Sequence, residues 1–132
     1  MNATINLEKK HFPVLLNELI SIISPLYSGT FIDCTFGKGG YSKEILKHSN
    51  NKVIAIDRDN NTIKDALIFH KKFNKNFKFE NKKFSNLDTI DLEREKIKAI
   101  IFDLGYSLDQ IQDPDKGLSF NFLGDLNIFV KP

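Results

Sequence analysis

Apolar segments that each stop at an acidic residue recur along this chain, and they predict parallel β-strands. Strands are predicted at about residues 30–34, 52–56 and 98–103, with a shorter one at 77–80. The first three segments are apolar almost throughout, which is typical of strands buried on both faces of a parallel sheet.

Helical spacing separates these strands. Residues 13–23 place apolar side chains at intervals of one, three and four, which predicts an amphipathic helix with a proline in its first turn. Further helices are predicted at 42–47 and 60–72, and a helical turn at 86–95. The alternation predicts an α/β protein with a Rossmann-like, mostly parallel sheet of about four strands. That sheet would be incomplete, because a full doubly wound sheet has more strands.

The turn between the first strand and the next helix is rich in glycine. Gly37, Gly39 and Gly40 lie where the chain reverses, so at least one is expected to have a positive φ, and a missing Cβ would let a ligand approach the backbone. Asp57 ends the second strand 17 residues after Gly40, which suits a carboxylate that binds a ribose diol. The pattern predicts a nucleoside-binding βαβ unit, although a purely structural turn can share it.

A single nucleoside fits this turn better than a dinucleotide. Ser42 stands where the last glycine of a G-x-G-x-x-G motif would be. An NAD-linked oxidoreductase is therefore the less favoured interpretation.

Three acids are expected to share one edge of the sheet. Asp33, Asp57 and Asp103 lie at or next to the carboxyl ends of predicted parallel strands, where open α/β folds bind ligands. Their carboxylates would therefore line one crevice. The segment after Asp103 is rich in turn-forming and polar residues, which predicts a functional loop over that crevice.

Composition favours a single domain, expected to span residues 1–132. No apolar run is long enough to cross a bilayer, and the first ten residues lack the apolar core of a secretory signal. The single cysteine, Cys34, cannot form an internal disulfide. A reducing, cytosol-like compartment is therefore expected, with Cys34 as a small buried filler.

Lysines and phenylalanines are interleaved between residues 71 and 84. Such a segment can grip RNA through phosphate contacts and base stacking. The alternative is a solvated lysine face with the phenylalanines packed inward, and this alternative is favoured.

Four parts of the sequence, in order, resemble the N-terminal part of the MraW family, also called ribosomal RNA small subunit methyltransferase H. They are His11–Glu18 (HFPVLLNE), Phe31–Ser42 (FIDCTFGKGGYS), Ile54–Asp59 (IAIDRD), and Phe102–Ser107 (FDLGYS) through Lys116–Phe120 (KGLSF).

The resemblance implies an S-adenosylmethionine methyltransferase fold and transfer of a methyl group to N4 of a cytidine in small-subunit ribosomal RNA. It places Asp57 at the ribose and Phe84 and Asp103 around the adenine, where Asp103 could also accept hydrogen bonds from the ammonium of the methionine moiety. The implied cofactor contacts are Gly39, Gly40, Tyr41, Asp57, Phe84, Asp103 and Gln110. No metal and no catalytic residue are assigned, because methyl transfer depends mainly on positioning.

The same resemblance implies small-subunit ribosomal RNA or the ribosomal subunit as partner. No membrane is expected, and the cytosol-like compartment inferred above predicts a cytoplasmic location. The mitochondrial relatives of the family give a mitochondrial location as the alternative. The chain also departs from the family pattern. Tyr41 replaces a usual histidine, Asn127 an aspartate and Phe129 an arginine. Family members continue through a helical RNA-recognition region and further strands. The open alternatives are a truncated or split product, a homodimer or partner chain that covers the sheet edge, and a catalytically inactive remnant that acts as a ribosome-assembly or interaction module.

Overall fold

The computed structural model describes residues 15–105, 111–112 and 114. Strands and helices alternate along this part of the chain, which confirms the predicted α/β class. Their bounds are α1 (Leu16–Ile23), β1 (Thr30–Asp33), α2 (Gly40–Ile45), β2 (Lys52–Ile56), α3 (Ile63–Phe73), β3 (Phe77–Glu80) and β4 (Ile97–Ile101). Short 3₁₀ turns occupy Ser24–Leu26, Asn60–Thr62, Asn74–Asn76 and Phe84–Thr89.

The four strands form one parallel sheet in the order β3-β2-β1-β4. From β1 the chain moves outward to β2 and β3, and it then returns to the other side of β1 as β4. The strand order therefore reverses between β1 and β4. Ligands of open α/β sheets bind at the carboxyl ends of the strands beside such a reversal, so this edge is where a site is expected.

The helices cover one face of the sheet. Phe31, Val53 and Phe77 point to this face and are almost completely buried against α1, α2 and α3. Alternate strand residues point to the opposite face, as the pleat of a strand requires. There the segment that joins β3 to β4 packs against the sheet through Leu87, Ile90 and Leu92. Cys34 lies in this second layer and is 2% exposed, which confirms its predicted role as a buried filler.

Most predicted bounds agree with the structure, and the differences have identifiable causes. The predicted strands at 52–56 and 77–80 have the observed bounds. Helix α2 begins at Gly40 rather than at residue 42, because the glycine turn leads directly into it. Strand β4 ends at Ile101 rather than at residue 103. The backbone ladder with β1 stops there because the N–H of Asp103 bonds to a side chain instead. It donates to the hydroxyl of Thr35, just after β1, at 2.8 Å.

The opposite, amino-terminal edge of the sheet is fastened by Glu95. Its carboxylate accepts a hydrogen bond of 2.6 Å from the hydroxyl of Thr30 and forms an ion pair with Lys52. Thr30 begins β1 and Lys52 begins β2. Glu95, two residues before β4, therefore links the segment that leads into β4 to the starts of two other strands. These bonds lower the pKa of Glu95, with the Lys52 contact as the largest cause.

The phenylalanines of the lysine-rich segment are packed inward. Phe77 is 2% exposed, and Phe73 and Phe79 pack against the main core. Lys78 and Lys82 form ion pairs with Glu80, at 3.1 and 3.6 Å. The structure therefore supports the solvated lysine face, with the rings of Phe73, Phe77 and Phe79 packed toward the core.

Candidate functional site

The glycine turn has two residues with positive φ, as the sequence predicts. These are Gly37, with φ 54°, and Gly39, with φ 80°. A Cβ on Gly39 would lie 2.4 Å from Cζ of Phe69, so this glycine is required by the packing of an aromatic ring in the core. A Cβ on Gly37 would have only a carbonyl oxygen at 4.0 Å, so this glycine faces open space. The missing Cβ of Gly37 therefore leaves room for a ligand, whereas the corresponding space at Gly39 is filled by the rings of Phe69 and Phe36.

The backbone polar groups of Gly39 are used within the turn. Its N–H donates to the carbonyl of Phe36 at 2.7 Å, and its carbonyl accepts from the N–H of Lys43 at 2.8 Å. Gly40 and Tyr41 open α2, and Tyr41 is buried. The predicted contact at Gly39 would therefore be through van der Waals approach, whereas Gly40 lies at the amino end of the helix, where backbone N–H groups are left without helical partners.

Asp57 joins the end of β2 to the glycine turn. Its Oδ2 accepts a hydrogen bond of 2.8 Å from the N–H of Gly37, and its Oδ1 accepts one of 2.9 Å from the N–H of Asp59. The side chain is partly buried, and burial raises its pKa above the ordinary value. Each carboxylate oxygen can accept more than one hydrogen bond, so the oxygens held here retain capacity for a diol.

Asp33 does not line an open crevice, which corrects the expectation from sequence. It is 0% exposed, and its carboxylate accepts hydrogen bonds from the hydroxyl of Ser42 at 2.6 Å and from the N–H of Thr35 at 3.2 Å. The final strand residue points into the helix-covered layer, because Phe31 of the same strand face does so and the pleat repeats every two residues. Burial raises the pKa of Asp33 to about 6 from 3.8, and the carboxylates of Asp57 and Asp103 act in the same direction.

Asp103 lies on the other side of the strand reversal and is exposed. Its N–H is held by the Thr35 hydroxyl, and its carboxylate forms a hydrogen bond with the hydroxyl of Tyr41. Burial, together with the Asp103 carboxylate, raises the pKa of Tyr41 to about 12, so the phenol keeps its proton and acts as the donor in this bond.

An aromatic pair lies next to this acid. The rings of Phe84 and Phe102 meet edge to face, with centroids 5.5 Å apart and planes at 87°. Phe84 is 45% exposed and Phe102 is 49% exposed, so the pair presents apolar ring surface to solvent. Phe84 follows β3 and Phe102 follows β4, which are the two outer strands of the sheet, so the segment after β3 reaches across the carboxyl edge.

The structure thus brings most of the predicted site residues to one edge. Asp57 contacts the glycine turn, Tyr41 contacts Asp103, and Phe84 contacts the residue before Asp103. Gln110 lies outside the described residues. The site also involves Thr35, Ser42 and Phe102, which the sequence does not predict as site residues. Thr35 and Ser42 lie inside the glycine-turn segment, and Phe102 lies in the apolar run before Asp103. In the sequence, only this closeness to predicted site residues could have indicated a role for them.

The chemistry of this edge fits an adenosine group. The Asp57 carboxylate suits a ribose diol, exposed aromatic rings suit a base, and a second carboxylate suits an amine donor. His48 and His70 are exposed, and they pack against Tyr27 and Phe77 rather than against these carboxylates.

Comparison with known proteins decides the family. Residues 8–128 match the MraW methylase family. The chain belongs to this family. It is 39% identical over 118 residues to ribosomal RNA small subunit methyltransferase H of Orientia tsutsugamushi, an alignment that covers 89% of the chain and 38% of that relative. The same-named protein of Rickettsia bellii is 38% identical over 122 residues, covering 92% and 40%. That of Zymomonas mobilis is 38% identical over 122 residues, covering 89% and 36%.

The family match includes the β1 motif, the β2 end and the segment after β4, so it covers every element that builds the site. The chain spans about two fifths of the length of these curated relatives. Among the residues that the structure describes, no helix is long and apolar enough to cross a membrane.

Proposed function

We propose that this chain is the cofactor-binding domain of a cytoplasmic methyltransferase that uses S-adenosylmethionine to methylate N4 of a cytidine in small-subunit ribosomal RNA. The observation that carries the proposal is the contact between Asp57 and Gly37 at the carboxyl edge of the sheet, beside the strand reversal. It holds the Asp57 carboxylate, which we assign to the ribose, against the turn at Gly37, where the side without a Cβ faces open space. The family membership supports the reaction class.

In this proposal, Asp57 and Phe84 would contact the adenosine part of S-adenosylmethionine, and Asp103 and the glycine turn would contact its amine and methionine groups. Asp57 would bind the ribose, and Phe84 would stack on the adenine from the β3 side. Asp103 would accept hydrogen bonds from an amine, and the glycine turn at Gly39, Gly40 and Tyr41 would approach the methionine moiety. Gln110 completes the predicted contacts from beyond Asp103 in the sequence.

The role of the protein in the reaction would be to position the two substrates. Asp57, Phe84 and Asp103 would hold S-adenosylmethionine. Its sulfonium would supply an activated methyl group for transfer to the cytidine N4, with the sulfur leaving as a thioether and one proton lost from the nitrogen. Holding the methyl carbon in line with the cytidine N4 lowers the barrier without a metal or a covalent intermediate. Hydrogen-bond acceptors that orient the cytidine amine would therefore contribute most to the rate.

The test is a methylation assay with nucleoside analysis. The protein would be incubated with methyl-labelled S-adenosylmethionine and unmodified small-subunit ribosomal RNA, and the digested RNA analysed by mass spectrometry. Labelled N4-methylcytidine, formed in smaller amount by the Asp57→Ala variant at limiting S-adenosylmethionine, supports the proposal. A different methylated nucleoside would contradict the N4-cytidine assignment.

A second candidate function is an inactive module for ribosome assembly or protein interaction. Its support is the loss of two charged residues at Asn127 and Phe129, and the exposure of apolar side chains on β4, where Ile100 is 47% exposed. A homodimer or partner chain could cover that strand. Light scattering at two protein concentrations would detect a dimer. Binding to the ribosomal subunit without binding of S-adenosylmethionine would favour this second function over the first.

A further inference from the structure

A closed series of contacts surrounds the strand reversal and has the buried carboxylate of Asp33 at its centre. Asp33 accepts hydrogen bonds from Ser42 and from the backbone of Thr35. The hydroxyl of Thr35 accepts the N–H of Asp103 at 2.8 Å. The carboxylate of Asp103 returns to α2 through the hydroxyl of Tyr41, the neighbour of Ser42. We call these five residues the Asp33 circuit.

We propose that Asp33 is a positioning residue, which sets the place of the Asp103 carboxylate relative to the glycine turn without touching the ligand itself. The identity of the ligand as S-adenosylmethionine rests on the proposed function. The positioning of Asp103 rests only on the contacts of the Asp33 circuit.

Burial argues that Asp33 cannot act by direct contact. The residue is 0% exposed, and its described hydrogen-bond donors come from the protein itself. A carboxylate removed from water is costly unless its oxygens are hydrogen-bonded. The Ser42 hydroxyl and the Thr35 N–H supply those bonds, so moving either partner would leave a buried charge unsatisfied. Asp33 therefore holds Ser42 and Thr35 more firmly than a neutral acceptor would.

Thr35 transmits that restraint across the strand reversal. Its backbone is fixed by Asp33, and its hydroxyl is the described partner of the Asp103 N–H. The regular ladder between β1 and β4 has already ended at the bond of 2.9 Å from Cys34 N–H to the Ile101 carbonyl. Beyond that bond, the contacts described between the two segments are those of the Asp33 circuit. The location of Asp103 consequently depends on the Thr35 hydroxyl, and the position of Thr35 depends on its hydrogen bond to Asp33.

The experiment measures amide hydrogen exchange by NMR in the full chain, together with affinity for S-adenosylmethionine. Thr35→Val removes the hydroxyl and Thr35→Ser keeps it, whereas Asp33→Asn leaves Thr35 intact and removes the charge that accepts from Thr35 and Ser42. Ser42→Ala provides a milder loss if Asp33→Asn does not fold. Asp91→Asn is the matched control, because exposed Asp91 also accepts the N–H two residues later, at 3.1 Å, outside the Asp33 circuit.

We expect Thr35→Val to lower the exchange protection of the Asp103 amide by about tenfold, the size of one lost hydrogen bond. Asp33→Asn should lower it by a smaller factor, because the Thr35 hydroxyl remains but is held less firmly. The Cys34 amide, held by the β1–β4 ladder, should keep its protection in the Thr35 variants. Thr35→Ser should restore the Asp103 amide, and Asp91→Asn should leave it unchanged. Affinity for S-adenosylmethionine should fall in the same order as the Asp103 protection.

Two results would overturn the inference. One is full protection of the Asp103 amide in both Asp33→Asn and Ser42→Ala, which would show that Asp103 is placed independently of Asp33. The other is reduced protection with unchanged affinity in these variants, which would show that the restraint has no effect on binding. If the unmodified chain binds no S-adenosylmethionine, the proposed function fails, whereas the exchange data still decide whether Asp33 positions Asp103.

Discussion

The Oδ2 atom of Asp57 accepts a hydrogen bond of 2.8 Å from the backbone N–H of Gly37, and this bond joins the end of β2 to the turn that follows β1. The two residues are 20 positions apart in the sequence. Their contact gives the turn a fixed place on the carboxyl edge and leaves the open side of Gly37 next to a carboxylate. The ribose assignment of Asp57 depends on this arrangement.

Asp57→Ala should weaken binding of S-adenosylmethionine by about 1–3 kcal/mol, because the ribose diol loses charge-assisted hydrogen bonds. Isothermal titration calorimetry measures the dissociation constant. Asp88→Ala, at an exposed aspartate in the 3₁₀ turn before Ile90, is the control and should bind normally. An Asp57→Ala protein that folds and binds as tightly as the unmodified chain would rule out the ribose assignment.

Phe84→Ala should weaken the same binding by about 1–3 kcal/mol, the range found when a ring that stacks on a base is removed. The change should be smaller for a ligand that lacks the base, and inhibition by methionine compared with adenosine would show this. Ile68→Ala, at a 62% exposed apolar side chain on α3, controls for the loss of exposed apolar surface. Equal effects of the two substitutions would argue against stacking by Phe84.

The two positive-φ glycines should respond differently to alanine. Gly37→Ala adds a Cβ in open space, so it should cost about 1 kcal/mol of unfolding free energy through the strained φ alone. Gly39→Ala also places a Cβ against Phe69 and Phe36, which should add about 1–3 kcal/mol. Urea unfolding followed by circular dichroism measures both values, and equal losses would contradict the packing role of Gly39.

The stability contributed by Asp33 should depend on pH. Burial raises its pKa to about 6 in the folded state from an ordinary 3.8, so the folded chain binds the proton more tightly. The contribution is therefore fully present below about pH 4 and is lost as pH rises through about 6. Relative to Asp33→Asn, the unfolding free energy of the unmodified chain should fall by about 3 kcal/mol between these limits. A constant difference across this range would show that Asp33 has an ordinary pKa.

The stability contributed by Glu95 should change with pH in the opposite direction to that of Asp33. Its lowered pKa means that its contribution is present above its ordinary 4.5 and is lost as pH falls through the lower value of the folded state. Glu95→Gln should cost about 1 kcal/mol near pH 7, since the ion pair with Lys52 is partly exposed to solvent. The cost should shrink in acid. The neighbouring exposed Glu93→Gln is the control, and an acid-independent cost would mean that only the shape of Glu95 matters.

Local patterns predicted the strands well, whereas side-chain directions at the edge required the three-dimensional structure. The apolar run of β2 could be read directly, because a parallel strand buried on both faces has a distinctive composition. The side-chain direction of Asp33 could not be predicted. An aspartate at the end of a strand can point into solvent or beneath the next helix, and the sequence does not distinguish the two. The contact of Thr35 with Asp103 spans 68 residues and arises only once β4 lies beside β1.

Calorimetric titration of the purified chain with S-adenosylmethionine, and separately with NAD, shows whether the carboxyl edge of the sheet binds an adenosyl cofactor. We expect saturable binding of S-adenosylmethionine at one site per chain, tighter than that of NAD. Absence of binding, or tighter binding of the dinucleotide, would contradict the assignment of this site.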